Sequence, residues 1–144
     1  MPVKPKLISL EELNVQISDA IRSAAAKPTI FAYKPQDHQL PFHESNKIGR
    51  LFLGGNRAGK TVSGGSELVA AMTGVPINGI TQKFKPPVRC RAIGVDYDNG
   101  VDKIIIPEIK RWMPSSYLIN GSWDDSYRKS NRTLTLTNGS TSWS

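Results

Sequence analysis

The sequence predicts an α/β fold, and three observations point there. Short apolar runs that end in glycine or polar residues read as strands. Between them lie segments with apolar residues at helical spacing and clear start and stop signals. The last stretch, "RTLTLTNGSTSWS", alternates Leu134 and Leu136 with threonines and then turns at Asn138-Gly139, which reads as a hairpin with a two-residue turn. The length, 144 residues, suits about one domain, and a hydrophobic content of 38% is that of a globular chain.

The elements follow in order. Ser9-Leu10-Glu11-Glu12 is a capping box, and Leu13, Ile17, Ile21 and Ala24 then recur at helical spacing. This predicts an amphipathic helix from about Leu10 to Ala26, an arm within residues 1–32 that packs on the core or on a neighbouring subunit. In "YKPQDHQLPFHESNK", Asp37 is expected to cap a short helix with Pro41 in its first turn. "RLFLGG", Arg50–Gly55, reads as a buried strand, and Lys60 to Gly74 as a helix stopped by glycine. Gly64 and Gly65 weaken that helix by propensity, and a close backbone contact with the sheet would explain them. Val75 to Pro87, with three prolines, reads as a loop; "VRCRAIGV" is a second strand. Val101 to Met113 is expected to be helical at least after Pro107, which suits a first helical position. The returning hairpin strand has five residues, the last of them Ser144, so the chain reads as cut inside a larger unit.

The chemistry concentrates in "FLGGNRAGKTVSGG". Gly54, four residues, then Gly59-Lys60-Thr61, set after a strand and before a helix, is the pattern of a phosphate-binding loop. The glycines let successive N–H groups turn inward, and the following helix adds its positive end. Gly54, Gly55, Asn56, Arg57, Ala58, Gly59, Lys60 and Thr61 are therefore the candidate nucleotide-binding residues. Lys60 reaches the β- and γ-phosphates, and Thr61 offers a hydroxyl to Mg²⁺. Arg57 lies three residues before Lys60; it either stabilises charge on the γ-phosphate as an arginine finger or points away and pairs with an acid. Upstream, the Gln39 amide can donate and accept together, which fits the edge of adenine; a solvent-facing glutamine is the plainer reading from spacing.

Composition bounds the rest. The formal charge is +7 and the isoelectric point about 9.7, which suits a polyanion such as DNA or RNA. The charge is spread over both halves, so ordinary solubility accounts for it as well. A single cysteine, Cys90, excludes an intrachain disulfide and reads as a small core residue. "MPVKPKLISLEEL" lacks the apolar run of a signal peptide, and no stretch has the length of a membrane span, so an intracellular protein is expected. The Asn-x-Ser/Thr triplets at Asn120, Asn131 and Asn138 are then turn residues and not glycosylation sites.

The segment "YKPQDHQLPFHESNKIGRLFLGGNRAGKTVSGGSELVAAMTG" resembles the start of the ATPase domain in large terminase subunits of tailed bacteriophages, the motors that package DNA into a preformed capsid. The likeness covers Tyr33 to Gly74 and continues more loosely through "VRCRAIGVD", "IIIPEIKRWMP" and "NRTLTLTNGS". It implies a RecA-like fold with a mainly parallel sheet over residues 33–144. It also implies ATP with Mg²⁺, Gln39 as the adenine-recognition glutamine, Lys60 as catalytic lysine, Thr61 as metal ligand, and Arg57 acting on the γ-phosphate of its own subunit. The partners it implies are double-stranded DNA, a portal protein, a small terminase subunit and further copies in a ring, in the cytoplasm of the host. Two departures stand out: no apolar strand ending in Asp-Glu follows the hairpin, and the nuclease carboxylates are absent. "VRCRAIGVD" ends at Asp96 and can be read as a magnesium-holding strand, yet Tyr97 follows where a glutamate would orient water. The chain by itself is thus expected to bind nucleotide weakly and turn over little. Another P-loop NTPase, helicase-like or RecA-like, or a non-hydrolysing nucleotide-binding fragment, are the alternatives.

Overall fold

The computed structural model describes residues 9–15, 17–18 and 28–144. Helix α1 comprises residues 10–15 and 17–18; the remainder of the expected helix, with Ile21 and Ala24, lies outside the described residues. Its capping box forms as written. Ser9 N–H donates to Glu12 Oε2 at 3.2 Å, and Glu12 N–H donates to Ser9 Oγ at 3.1 Å. Leu10, Leu13 and Ile17 are exposed on it.

After α1 the described chain resumes at residue 28 and forms a short 3₁₀ turn, Ile30–Ala32, which buries Ile30. Helix α2 is Leu40–Glu44 with Pro41 in its first turn. The expected cap is not Asp37: Gln39 precedes the helix, and no side chain caps it. Helix α3, Lys60–Thr73, runs between two left-handed glycines, Gly59 (φ 75°) and Gly74 (φ 78°). At the latter, N–H to Ala70 O at 2.8 Å closes the helix end, as the sequence predicted. The chain from Tyr97 to Ile105 is π-helical and continues into α4, Ile106–Trp112. Asp96 caps the π-helical run, and Pro107, which has no N–H to offer the preceding turn, stands where the wider helix becomes an α-helix. The helical segment therefore begins before the expected Val101. A last turn, α5, is Trp123–Ser126.

Four short strands make one mixed sheet: β1 Arg89–Arg91, β2 Tyr127–Arg128, β3 Thr133–Thr135 and β4 Thr141–Trp143, in the order β1-β4-β3-β2. Only β1 and β4 are parallel; the other two pairings are antiparallel. The expectation of a mainly parallel sheet is corrected: the local hairpin supplies most of the ladder. Its loop also differs. Leu136 N–H donates to Ser140 O, Gly139 N–H donates to Leu136 O, and Gly139 is left-handed (φ 86°). That is a three-residue loop, Thr137 to Gly139, with glycine in the bulge position. Leu134 and Leu136 point into the core as the alternation required.

Arg50–Gly55 is not a strand. Among the described residues it pairs with no other segment, and Leu51 and Leu53 are 80% and 79% exposed. An apolar run reads as a buried strand only when neighbours flank it, and sequence cannot supply the neighbours. Likewise β1 covers three residues of the expected Val88–Val95. The register puts Arg91 opposite Trp143, the last residue of β4, so the ladder ends there and Ile93 and Val95 are exposed.

The core lies between α3, α4 and the hairpin, built from Ile30, Val69, Met72, Ile77, Ile109, Trp112, Leu134 and Leu136. Cys90 packs against its edge, half-buried, and burial pushes its thiol up from the usual range. A Cβ on Gly65 would stand 2.9 Å from Glu108 Cγ. The partner that explains this glycine is therefore helix α4 and not the sheet. Asn138 ties the hairpin to α3: its Nδ2 donates to Met72 O at 2.8 Å and its Oδ1 accepts from Ser140 N–H at 3.0 Å. Asn138→Ala is expected to cost about 1–2 kcal/mol, read as a lower urea midpoint at unchanged slope.

Candidate functional site

The glycine loop crosses from the Arg50–Gly55 segment to the first turn of α3. Two of its residues are left-handed, Arg57 (φ 64°) and Gly59 (φ 75°). Such turns bring consecutive N–H groups to one side and make a concavity for anions. The loop leads directly into the N-terminus of a 14-residue helix, the positive end of its dipole. Gly54 has no room for a side chain, since a Cβ there would lie 2.8 Å from Ala58 Cβ.

Lys60 bends back over the loop. Its Nζ donates to Gly54 O at 2.8 Å and to Gly55 O at 2.6 Å. The ammonium thus sits across the loop mouth, held only by carbonyls that it can exchange for phosphate oxygens. Thr61 follows on the first turn of α3, and with Lys60 it lines a cleft of about 500 Å³. Ile93, Val95 and Ile104 make the opposite wall, with Gly64 and Gly65 on the α3 side. Arg57 is exposed on the loop and forms no ion pair among the described residues.

Gln39 is placed against the loop and is only 4% exposed. Its Nε2 donates to Gly59 O at 3.2 Å and to Ser63 Oγ at 2.9 Å, while its Oε1 accepts from Gln36 N–H at 2.8 Å. One amide donor is spent on the loop and the other on α3, and one acceptor lone pair is left. The preceding residue acts in the same way: His38 Nε2–H donates to Ala58 O at 3.1 Å. The turn before α2 therefore holds the end of the loop at two points, Ala58 O and Gly59 O, and α3 at a third, Ser63 Oγ. Neither His38 nor Ser63 was found from sequence, because each contact spans twenty residues or more and depends on the fold.

A second network braces the loop from below. Glu67 of α3 accepts two hydrogen bonds from the Arg50 guanidinium, at 3.1 and 3.2 Å, and one from His43 Nδ1–H at 2.8 Å. His43 Nε2 accepts from Tyr33 O–H at 3.0 Å, and Arg50 also donates to Phe42 O at 2.8 Å. Burial works to raise the Glu67 carboxyl, but the hydrogen bonds from His43 and Arg50 and the charge of Arg50 hold it below the ordinary value.

Asp96 does not face the loop residues. Its carboxylate accepts from Asn99 N–H and Gly100 N–H, which caps the π-helical run and holds its pKa down. Among the residues lining the main cleft the one carboxylate is Glu108, and its Oε1 accepts from Trp112 Nε1–H at 2.6 Å. No group of three or more metal-ligating side chains occurs among the described residues. A Mg²⁺ held by one hydroxyl, phosphate oxygens and water would need no such group. Among the described residues no helix is long and apolar enough to cross a membrane.

Compared with known protein families, curated proteins and solved structures, the chain matches none.

Proposed function

We propose that the Gly54–Thr61 loop binds the phosphates of ATP with Mg²⁺, as the nucleotide-holding part of a RecA-like P-loop ATPase. The observation that carries this is the pair of left-handed residues, Arg57 and Gly59, leading into the N-terminus of α3 with Lys60 folded back onto the Gly54 and Gly55 carbonyls. In this reading Lys60 trades the Gly54 and Gly55 carbonyls for β- and γ-phosphate oxygens, and the Thr61 hydroxyl shares the metal. Gln39 serves by holding the loop, and its remaining lone pair can accept from the adenine amino group. Arg57, exposed and unpaired among the described residues, supplies charge at the γ-phosphate.

The resemblance of Tyr33 to Gly74 to phage large terminase subunits makes a DNA-packaging motor the owner of this loop. Its partners would then be double-stranded DNA, portal protein, small terminase subunit and other copies in a ring, inside the infected host. A narrower reading, nucleotide binding without hydrolysis by this chain, is favoured by one observation. The sole carboxylate lining the cleft, Glu108, is engaged by Trp112.

A titration with a fluorescent ATP analogue and Mg²⁺ tests the core claim. Wild type is expected to bind and Lys60→Ala to bind at least about tenfold more weakly, the loss of one charge-assisted contact. Equal affinity in the two would overturn the phosphate role. Steady turnover of ATP by the chain alone, abolished in Lys60→Ala, would overturn the narrower reading and leave the first intact.

A further inference from the structure

We propose that the exposed cationic surface from Lys83 to Arg91 contacts the phosphodiester backbone of a nucleic acid. Between Glu67 and Asp96 the sequence holds four basic residues, Lys83, Lys85, Arg89 and Arg91, and no acidic one. All four are exposed, and none forms an ion pair among the described residues. By contrast, the basic residues Arg128 and Lys129 sit close in sequence to Asp124 and Asp125, and Arg132 is paired with Asp102. Charge of one sign with no neutralising partner is the footprint of polyanion binding.

The surface is held in shape. Ile77 is fully buried and exchanges backbone hydrogen bonds with Ile80, at 3.1 and 2.7 Å, which pins the start of the loop to the core. Lys83 Nζ donates to Lys47 O at 2.8 Å, which ties the loop to the chain before Arg50. Arg89 and Arg91 alternate on β1, so their side chains share one face about 7 Å apart. Strand β1 is at the sheet edge, with β4 as its only strand neighbour, and Phe84 stands 66% exposed between the two lysines. A shallow groove of about 300 Å³ beside them is bordered by Lys83, Phe84 and Arg91, and by Arg50, whose charge Glu67 already offsets. Cations on a fixed edge with one exposed ring suit a phosphate backbone, with the ring available to an unstacked base.

The inference rests on the motor reading only for its biological setting, and its test needs no nucleotide. Labelled 20-mer duplex DNA and single-stranded DNA are titrated with the 144-residue chain at several salt concentrations. Four phosphate contacts predict a slope of log affinity against log salt near about −3.6 for duplex, and Lys83→Gln/Lys85→Gln should bring it to about −1.8. The control pair Arg128→Gln/Lys129→Gln, on β2 and its turn at the opposite sheet edge, should leave the slope unchanged. Phe84→Ala should weaken single-strand binding about tenfold if the ring stacks on a base, and leave duplex binding as it was. Equal losses from the two lysine and control pairs, or an unchanged slope in Lys83→Gln/Lys85→Gln, would overturn the proposal. So would binding to phosphatidylserine vesicles without DNA binding. Unchanged melting temperatures show that the variants fold. Lys60→Ala should bind DNA as wild type does, so a failed nucleotide assay with retained DNA binding rejects only the ATP reading, and the converse rejects only this surface.

Discussion

Glu67→Ala is expected to lower the stability of the chain by about 3 kcal/mol, a fall of about 10 °C in melting temperature. The reason is what it leaves behind. Arg50 would keep a largely buried guanidinium with no counter-charge, and His43, whose side chain is fully buried, would lose the acceptor for its Nδ1–H. Replacing a carboxylate that two neighbours need costs far more than removing an exposed ion pair. The same group sets an acid dependence with a definite sign. The folded state holds the Glu67 pKa below its ordinary value of 4.5, so the stabilisation is fully present above that pH and is lost as pH falls through the folded pKa. Chemical denaturation of wild type and Glu67→Gln at a series of pH values checks this. Their stability difference should be constant near neutrality and shrink below about pH 4.5. A difference independent of pH down to the acid limit would show that the charge of Glu67 does not support the fold.

Gly59→Ala is expected to damage stability and nucleotide binding together. An added Cβ would stand 2.3 Å from Gln39 Nε2, and the φ of 75° is one that residues with a side chain resist. The left-handed strain alone costs about 1–2 kcal/mol, and the displaced Gln39 amide gives up its bonds to Gly59 O and Ser63 Oγ. The total is on the order of 3 kcal/mol, with the loop shape lost as well. Thermal melting and the fluorescent-nucleotide titration measure the two effects. Lys60→Ala separates them, since Lys60 is exposed on the loop and its loss should weaken the ligand and spare the melt. A Gly59→Ala protein that melts like wild type would mean that Gln39 moves aside freely and does not shape the loop.

The parts of this molecule that local rules decide were legible in the sequence. Ser9 and Glu12 find each other because a capping box closes over one turn. Gly74 ends α3 because no other residue takes that backbone so cheaply, and Leu134 and Leu136 face inward because strand residues alternate. What failed depended on partners far along the chain. Arg50–Gly55 had the composition of a strand but no ladder to join. By spacing Gln39 reads most plainly as a solvent-facing glutamine, yet it is buried with its amide donating to Gly59 O and Ser63 Oγ, twenty and twenty-four residues away. A close backbone contact with the sheet is expected at Gly64 and Gly65; instead a Cβ at Gly65 would meet the Glu108 side chain of α4 and one at Gly64 would meet nothing, since sequence does not show what takes the room. The Tyr33–His43–Glu67–Arg50 chain of hydrogen bonds carried no local signal at all.

The unpaired segment Arg50–Gly55 has a consequence for handling the protein. Leu51, Leu53, Ile93 and Val95 are all more than three-quarters exposed, on stretches that pair with no strand among the described residues. Surfaces of that kind recruit strands from other molecules, and apolar side chains strengthen each such encounter. The net charge of +7 opposes it by mutual repulsion, which added salt screens. Colloidal behaviour should therefore turn on ionic strength: dilute and in low salt the chain disperses, and concentrated in high salt it clumps by these edges while its core stays folded.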